Sequence, residues 1–173
     1  MPTGLYGKLP AHGDFIRRLL PDSFVTPWDA WLQSGLLAAR EALGEGFDEA
    51  WSQAPAWCFR LPPGACGPDA AAGLLLPSQD LVGRLFPLTL VALIDPAAPP
   101  PAAGWYDALR DAARDAAASA DTLLAALPDP WGPDPWGADD APGEGWWRAA
   151  DAVWPLPSLP SQENFRVLVE GGA

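Results

Sequence analysis

The chain has 173 residues, 49% of them hydrophobic, with ten Trp, so it has the material for a core and the length to bury about 70% of its unfolded surface. Its net charge of −12 argues against a nucleic-acid partner or an anionic membrane surface, since both need a basic face to meet phosphates. No apolar run long enough for a membrane span and no charged-then-apolar leader is present, so the expectation is a cytoplasmic protein with no membrane insertion.

Residues 3–18 read TGLYGKLPAHGDFIRR. Gly4, Gly7, Pro10 and Gly13 break any helix, while Leu5, Lys8, Phe15 and Ile16 suit short strands, so two strands and a tight turn over residues 9–14 are expected, with Gly13 at positive φ. The stretch gathers Lys8, His12, Asp14, Arg17 and Arg18 in a chain with only ten Lys and Arg. These charges are either simply solvated or a contact surface held on a loop.

Residues 20–24 read as a turn. Thr26 as N-cap and Pro27 at the first helical position then predict a helix over 27–43. Its apolar face is Trp28, Trp31, Leu32, Gly35, Leu36, Ala39 and Leu43, which assigns the tryptophans to the core rather than to a ligand platform. Gly44 and Gly46 end it, and a short helix over 47–53 follows. Residues 57–61 (WCFRL) alternate as a half-buried strand does, and residues 62–68 form a loop. The apolar runs 72–77 and 86–94 suit central strands covered on both faces, joined by a hairpin turn over 78–84 (SQDLVGR) for which Asp80 and Gly83 are fitted.

Residues 95–103 (DPAAPPPAA) form a stiff connector. An Ala-rich helix is expected over 105–127. From 128 to 160 regular patterning fails: DPWG occurs at 129–132 and again at 134–137, and five Trp fall between Trp131 and Trp154, dense enough to expect partial burial. A last helix over 162–169, capped by Ser161 and ended by Gly171, should dock Phe165, Leu168 and Val169. The expected fold is a three-layer α/β/α sandwich with a mixed, largely antiparallel sheet. It forms one domain over 1–173, comprising a core over 1–127 and a wrapping segment with the terminal helix over 128–173.

Signatures of chemistry are scarce. No Walker loop, G-x-S-x-G, HExxH or GxGxxG occurs, and His12 is the single histidine. A Ser78–His12–Asp80 or Ser78–His12–Asp14 set can be drawn on paper, but nothing places the serine on a strained elbow. Cys58 and Cys66 match no metal framework with His12 and Asp14 and are expected as free thiols. The reading is therefore no catalytic residues, no cofactor and no metal. Asp80 and Arg84, four apart, either close their hairpin as a local ion pair or join Lys8, Asp14 and Arg17 in one surface. The charge is uneven, −3 over residues 1–93 (six basic, nine acidic) and −9 over 94–173 (four and thirteen), so the two halves should meet different partners, or only one half should meet any.

Three blocks in order, GLYGKLPAHGDFIRR, LPDSFVTPWDAWLQSGL and PSQDLVGRLFPLTL, resemble the TagF (ImpM) family of bacterial type VI secretion, with a match from Leu5 to about Ile94. GEGWWR and LPSQENF are similar to the family's C-terminal part. The resemblance implies a cytoplasmic, non-enzymatic accessory protein that represses secretion after translation by binding a forkhead-associated-domain scaffold component. It also raises Lys8, His12, Asp14, Phe15, Arg17, Asp80 and Arg84 as partner-binding residues. The alternatives are an adaptor or chaperone for a secretion component, or a hydrolase-like enzyme of unknown substrate.

Overall fold

The computed structural model describes residues 1–114, 119–132, 141–148, 156 and 158–171. Six strands, β1 (Gly4–Gly7), β2 (Ile16–Arg18), β3 (Trp57–Leu61), β4 (Ala70–Leu76), β5 (Leu88–Ile94) and β6 (Gly145–Trp147), form one sheet in the order β2-β1-β5-β4-β3-β6. All five pairings are antiparallel, so the described sheet has no parallel component.

The pleat sends alternate side chains to opposite layers. From β3, Trp57, Phe59 and Leu61 join one core cluster and Cys58 the other; from β5, Val91 and Leu93 join the first, while Leu88, Leu90, Ala92 and Ile94 join the second. Helices α1 (Asp22–Leu43), α2 (Phe47–Gln53) and α5 (Gln162–Glu170) pack on the first face, and α3 (Ala103–Ala113) with α4 (Ala120–Ala126) on the second. This is the expected three-layer α/β/α arrangement. Buried indoles are anchored as they must be away from water: Trp28 Nε1 donates to Thr89 Oγ1 at 2.8 Å, and Trp57 Nε1 to the Leu168 carbonyl at 2.9 Å.

Four expectations change. The first helix begins at Asp22, which puts Pro27 inside it rather than at its first position. The missing Pro27 N–H forfeits one bond to the Ser23 carbonyl, but the longer helix also buries Phe24 and Val25 on the face of Trp28 and Leu32, and that burial prevails. Residues 105–127 are not one helix: α3 ends at Ala113, and Ser119 caps a new one by accepting from the Thr122 N–H, with 115–118 outside the described residues. Gly13 does not adopt positive φ; Gly83 does, at 84°, and Leu19 is the positive-φ non-glycine among the described residues. Finally, the segment without pattern supplies β6, which pairs with β3 through Cys58↔Trp147, Phe59↔Trp146 and Arg60↔Gly145. Trp146 and Trp147 are buried as expected of this Trp-rich stretch, whereas Trp136, Trp154 and the second DPWG lie outside the described residues.

The terminal helix forms as expected. Ser161 Oγ caps Asn164 N–H, Gly171 closes the C-terminus in the left-handed region, and Phe165, Leu168 and Val169 are buried. Both cysteines are free and buried. Burial pushes each thiol up to about 12, Arg110 beside Cys58 partly opposing it there.

Candidate partner-binding site

The turn after β1 and the turn between β4 and β5 lie side by side because β1 pairs with β5. Within the second turn, Asp80 N–H donates to the Arg84 carbonyl at 3.1 Å and Gly83 N–H to the Asp80 carbonyl at 3.0 Å, a tight loop that Gly83 permits by its positive φ. The Leu81 N–H reaches across to the His12 carbonyl at 2.9 Å, and Ser78 Oγ donates to the Lys8 carbonyl at 2.7 Å. The two loops are therefore stitched by one backbone bond and one hydroxyl bond before any charge is considered.

Asp80 sits at the junction, its side chain fully enclosed. Its Oδ2 accepts from Lys8 Nζ at 2.9 Å and from Arg84 Nε at 2.7 Å; its Oδ1 accepts from the Val82 and Arg84 N–H groups at 3.1 and 2.9 Å. Four donors fill the acceptor capacity of one carboxylate. Burial would raise the Asp80 carboxyl, but the Lys8 and Arg84 donors together outweigh it and hold the group well below the usual carboxylate range. Lys8 is itself 7% exposed, with its ammonium 5.1 Å from the centre of the Phe15 ring. Arg84 spans both loops, since Nη2 donates to the Gly13 carbonyl at 2.7 Å.

On this hydrogen-bonded base stands an apolar crest. Phe15 packs edge-on against Phe86 at 4.8 Å yet stays 46% exposed, and Leu81 and Val82 at the neighbouring loop tip are 68% and 71% exposed. The chain thus holds a buried ionic tie beneath three exposed large hydrophobic side chains. Such a surface suits a protein partner.

The structure brings Lys8, Phe15, Asp80 and Arg84 together, along with the backbone of His12. The side chains of three other expected residues make bonds outside the Asp80 cluster. The His12 side chain turns to the opposite layer, where Nε2 accepts from the Ala120 N–H at 3.0 Å at the start of α4. Arg17 points along the sheet edge to Asp22 Oδ1 at 2.5 Å and the Leu20 carbonyl at 2.8 Å. Asp14 Oδ1 accepts from the Phe15 N–H. The charge pattern of the sequence does not point to Leu81 and Val82, although two large apolar residues at the tip of an expected turn are a readable signal. Ser78, His12 and Asp80 each bond to other partners, and among the described residues no group of three His, Cys, Asp or Glu could hold a metal.

A family model described as TagF N-terminal domain, type VI secretion system-associated, matches residues 4–129. The chain belongs to the TagF family. The crystal structure of PA0076 from Pseudomonas aeruginosa PAO1 superposes with a TM-score of 0.77 at 29% sequence identity, covering 98% of this chain and 94% of that one. No curated protein matches the chain. The TagF match takes in both loops of the junction and ends just after α4, so β6 and α5 lie beyond it. Among the described residues no helix of this TagF family member is long and apolar enough to cross a membrane.

Proposed function

We infer that this TagF family member restrains type VI secretion after translation by binding a forkhead-associated-domain scaffold of the machine, and that it does so without enzymatic activity in the cytoplasm. The observation that carries the reading is the junction itself: an enclosed carboxylate fixes two loops that are far apart in sequence and holds Phe15, Leu81 and Val82 in the open. A fold gains nothing from leaving large apolar side chains at the tips of loops so firmly anchored, whereas a partner gains a preorganised apolar contact with a charged rim. Lys8 and Asp80 act from beneath as the support. Phe15, Leu81, Val82 and the exposed face of Arg84 make contact. The His12 and Arg17 side chains are engaged by the Ala120 N–H and by Asp22, so neither is assigned a contact here.

The test is affinity capture from type VI-expressing cells with the wild-type chain and with Leu81→Asp/Val82→Asp, alongside secretion measured in cells overproducing each. The expected result is capture of the scaffold and loss of secretion for the wild type, with both effects lost in the variant. Capture of a different secretion component would favour the adaptor reading, and hydrolysis of generic ester, phosphate or peptide substrates above background would favour the enzyme.

A further inference from the structure

We propose that the cavity on the far side of the Ser78–Leu85 turn is a recognition pocket for a carboxylate-bearing, proline- or leucine-containing peptide segment of the protein partner, read by Arg40 and Arg84 together. This deepens the function proposed above and rests on it, since it assigns part of the partner's chemistry. The cavity holds about 750 Å³, within the range of pockets that take a small ligand or one peptide turn. Its walls come from α1 and α2 on one side and the Asp80 turn on the other, with Arg40, Trp51, Ser52, Gln79, Arg84 and Leu85 among the lining residues.

Each guanidinium group is exposed but held by a neighbour, Arg40 over an aromatic ring and Arg84 by hydrogen bonds. Arg40, in the last turn of α1, lies 4.4 Å from the centre of the Phe47 ring, which stacks in turn on Trp51 at 5.7 Å. Among the described residues it has no carboxylate partner, so its N–H fork is uncommitted. Arg84 is held on the opposite wall by Asp80 and the Gly13 carbonyl through Nε and Nη2, which leaves Nη1 for a further acceptor. Trp51 Nε1 donates to the Ser78 carbonyl at 3.2 Å, linking the two walls. Among the described residues Asp48 is the one acidic group that lines the cavity, so its described walls carry one net positive charge in a chain of net charge −12. Charge complementarity therefore selects an anion. Planar guanidinium groups match a carboxylate by paired hydrogen bonds, and the apolar surfaces of Trp51, Leu85 and the neighbouring Pro10 and Pro77 match an apolar side chain beside it.

The experiment titrates the isotope-labelled full chain with a blocked peptide of alternating glutamate and leucine, and with its glutamine-for-glutamate twin, following the Trp51 indole N–H signal assigned with a Trp51→Phe variant. The expected result is a saturable shift with the acidic peptide, at least tenfold weaker binding for the twin, and a loss of tenfold or more in Arg40→Gln with an unchanged spectrum elsewhere. Equal binding of the two peptides, or an unaltered affinity in Arg40→Gln, would overturn the proposal. If Arg40→Gln perturbs the whole spectrum, Arg40→Lys, which keeps the charge but loses the planar fork, decides by the same tenfold criterion. Because the probe is a free peptide, failure here leaves the capture of the scaffold through Leu81 and Val82 intact, and failure of that capture leaves this binding measurable.

Discussion

At Asp80 the balance between burial and pairing sets a testable order of effects. Asp80→Asn removes the negative charge under an ammonium that is almost wholly enclosed, so Lys8 is left uncompensated, whereas Arg84→Ala removes a side chain that is 62% exposed. Thermal denaturation should therefore show a much larger drop in Tm for Asp80→Asn than for Arg84→Ala; equal drops would show that Lys8 is not held by this carboxylate. The sign of the pH dependence follows from the depressed carboxyl. The unfolded group binds its proton near pH 4 and the folded group only at lower pH, so its contribution is complete above about pH 4 and is lost as pH falls towards the folded-state value. The Asp80→Asn variant should lose the corresponding part of the acid limb. Cys58 and Cys66 make an independent residue-scale test. With both thiols buried and pushed up to about 12, neither should react with iodoacetamide at pH 8 until the chain is denatured, and rapid labelling of the native protein would contradict the packing.

Between elements, the contact of α1 with α5 is decided by a missing side chain. A Cβ at Gly35 would stand 2.2 Å from the Phe165 ring, and that ring is enclosed rather than free to swing away. Gly35→Ala should gain up to about 1 kcal/mol in helix propensity but lose more to overpacking, about 1–3 kcal/mol, so the net change in denaturant titration is destabilising. A stabilised variant would mean that α5 does not sit on α1 at this distance. The same scale shows why some elements are legible in the sequence and others are not. WCFRL and the Ser161-capped terminal helix carry their own periodicity and caps, and they form where expected. The start of α1 is disguised by Pro27, a strong stop signal that tertiary burial of Phe24 and Val25 overrides. GWW is too short to show alternation, and it becomes β6 only because β3 offers an open edge. The end of α3 at Ala113 and the extended cap at Ser119 are hidden in an alanine run that reads as one helix. The candidate site is legible in part: the local Asp80–Arg84 pair follows from spacing, but the Lys8–Asp80 contact joins residues 72 positions apart, and only the strand pairing or a family resemblance can supply it.

For the whole molecule, the sandwich ties the Trp-rich end to the α/β core. Trp146 is fully buried, 5.1 Å from Phe59 and 6.4 Å from Trp28 by ring centres, in the cluster that also holds Phe165. Trp146→Ala should cost about 3–5 kcal/mol and leave a single, earlier unfolding transition, consistent with the proposal that residues 1–173 act as one unit. Two separate transitions would instead make the end an appendage. The proposed function turns on one feature of this unit, a crest of Phe15, Leu81 and Val82 on a base held by the Lys8–Asp80–Arg84 contacts. Isothermal titration of a purified forkhead-associated-domain scaffold into the wild-type chain and into Leu81→Asp/Val82→Asp tests it most directly, with circular dichroism confirming equal folding. Saturable binding to the wild type and a loss of about tenfold or more in the variant are expected, since two carboxylates placed without partners in a desolvated contact cost more than the roughly 1.4 kcal/mol of a tenfold change. Undiminished affinity in a folded variant would contradict the proposed function.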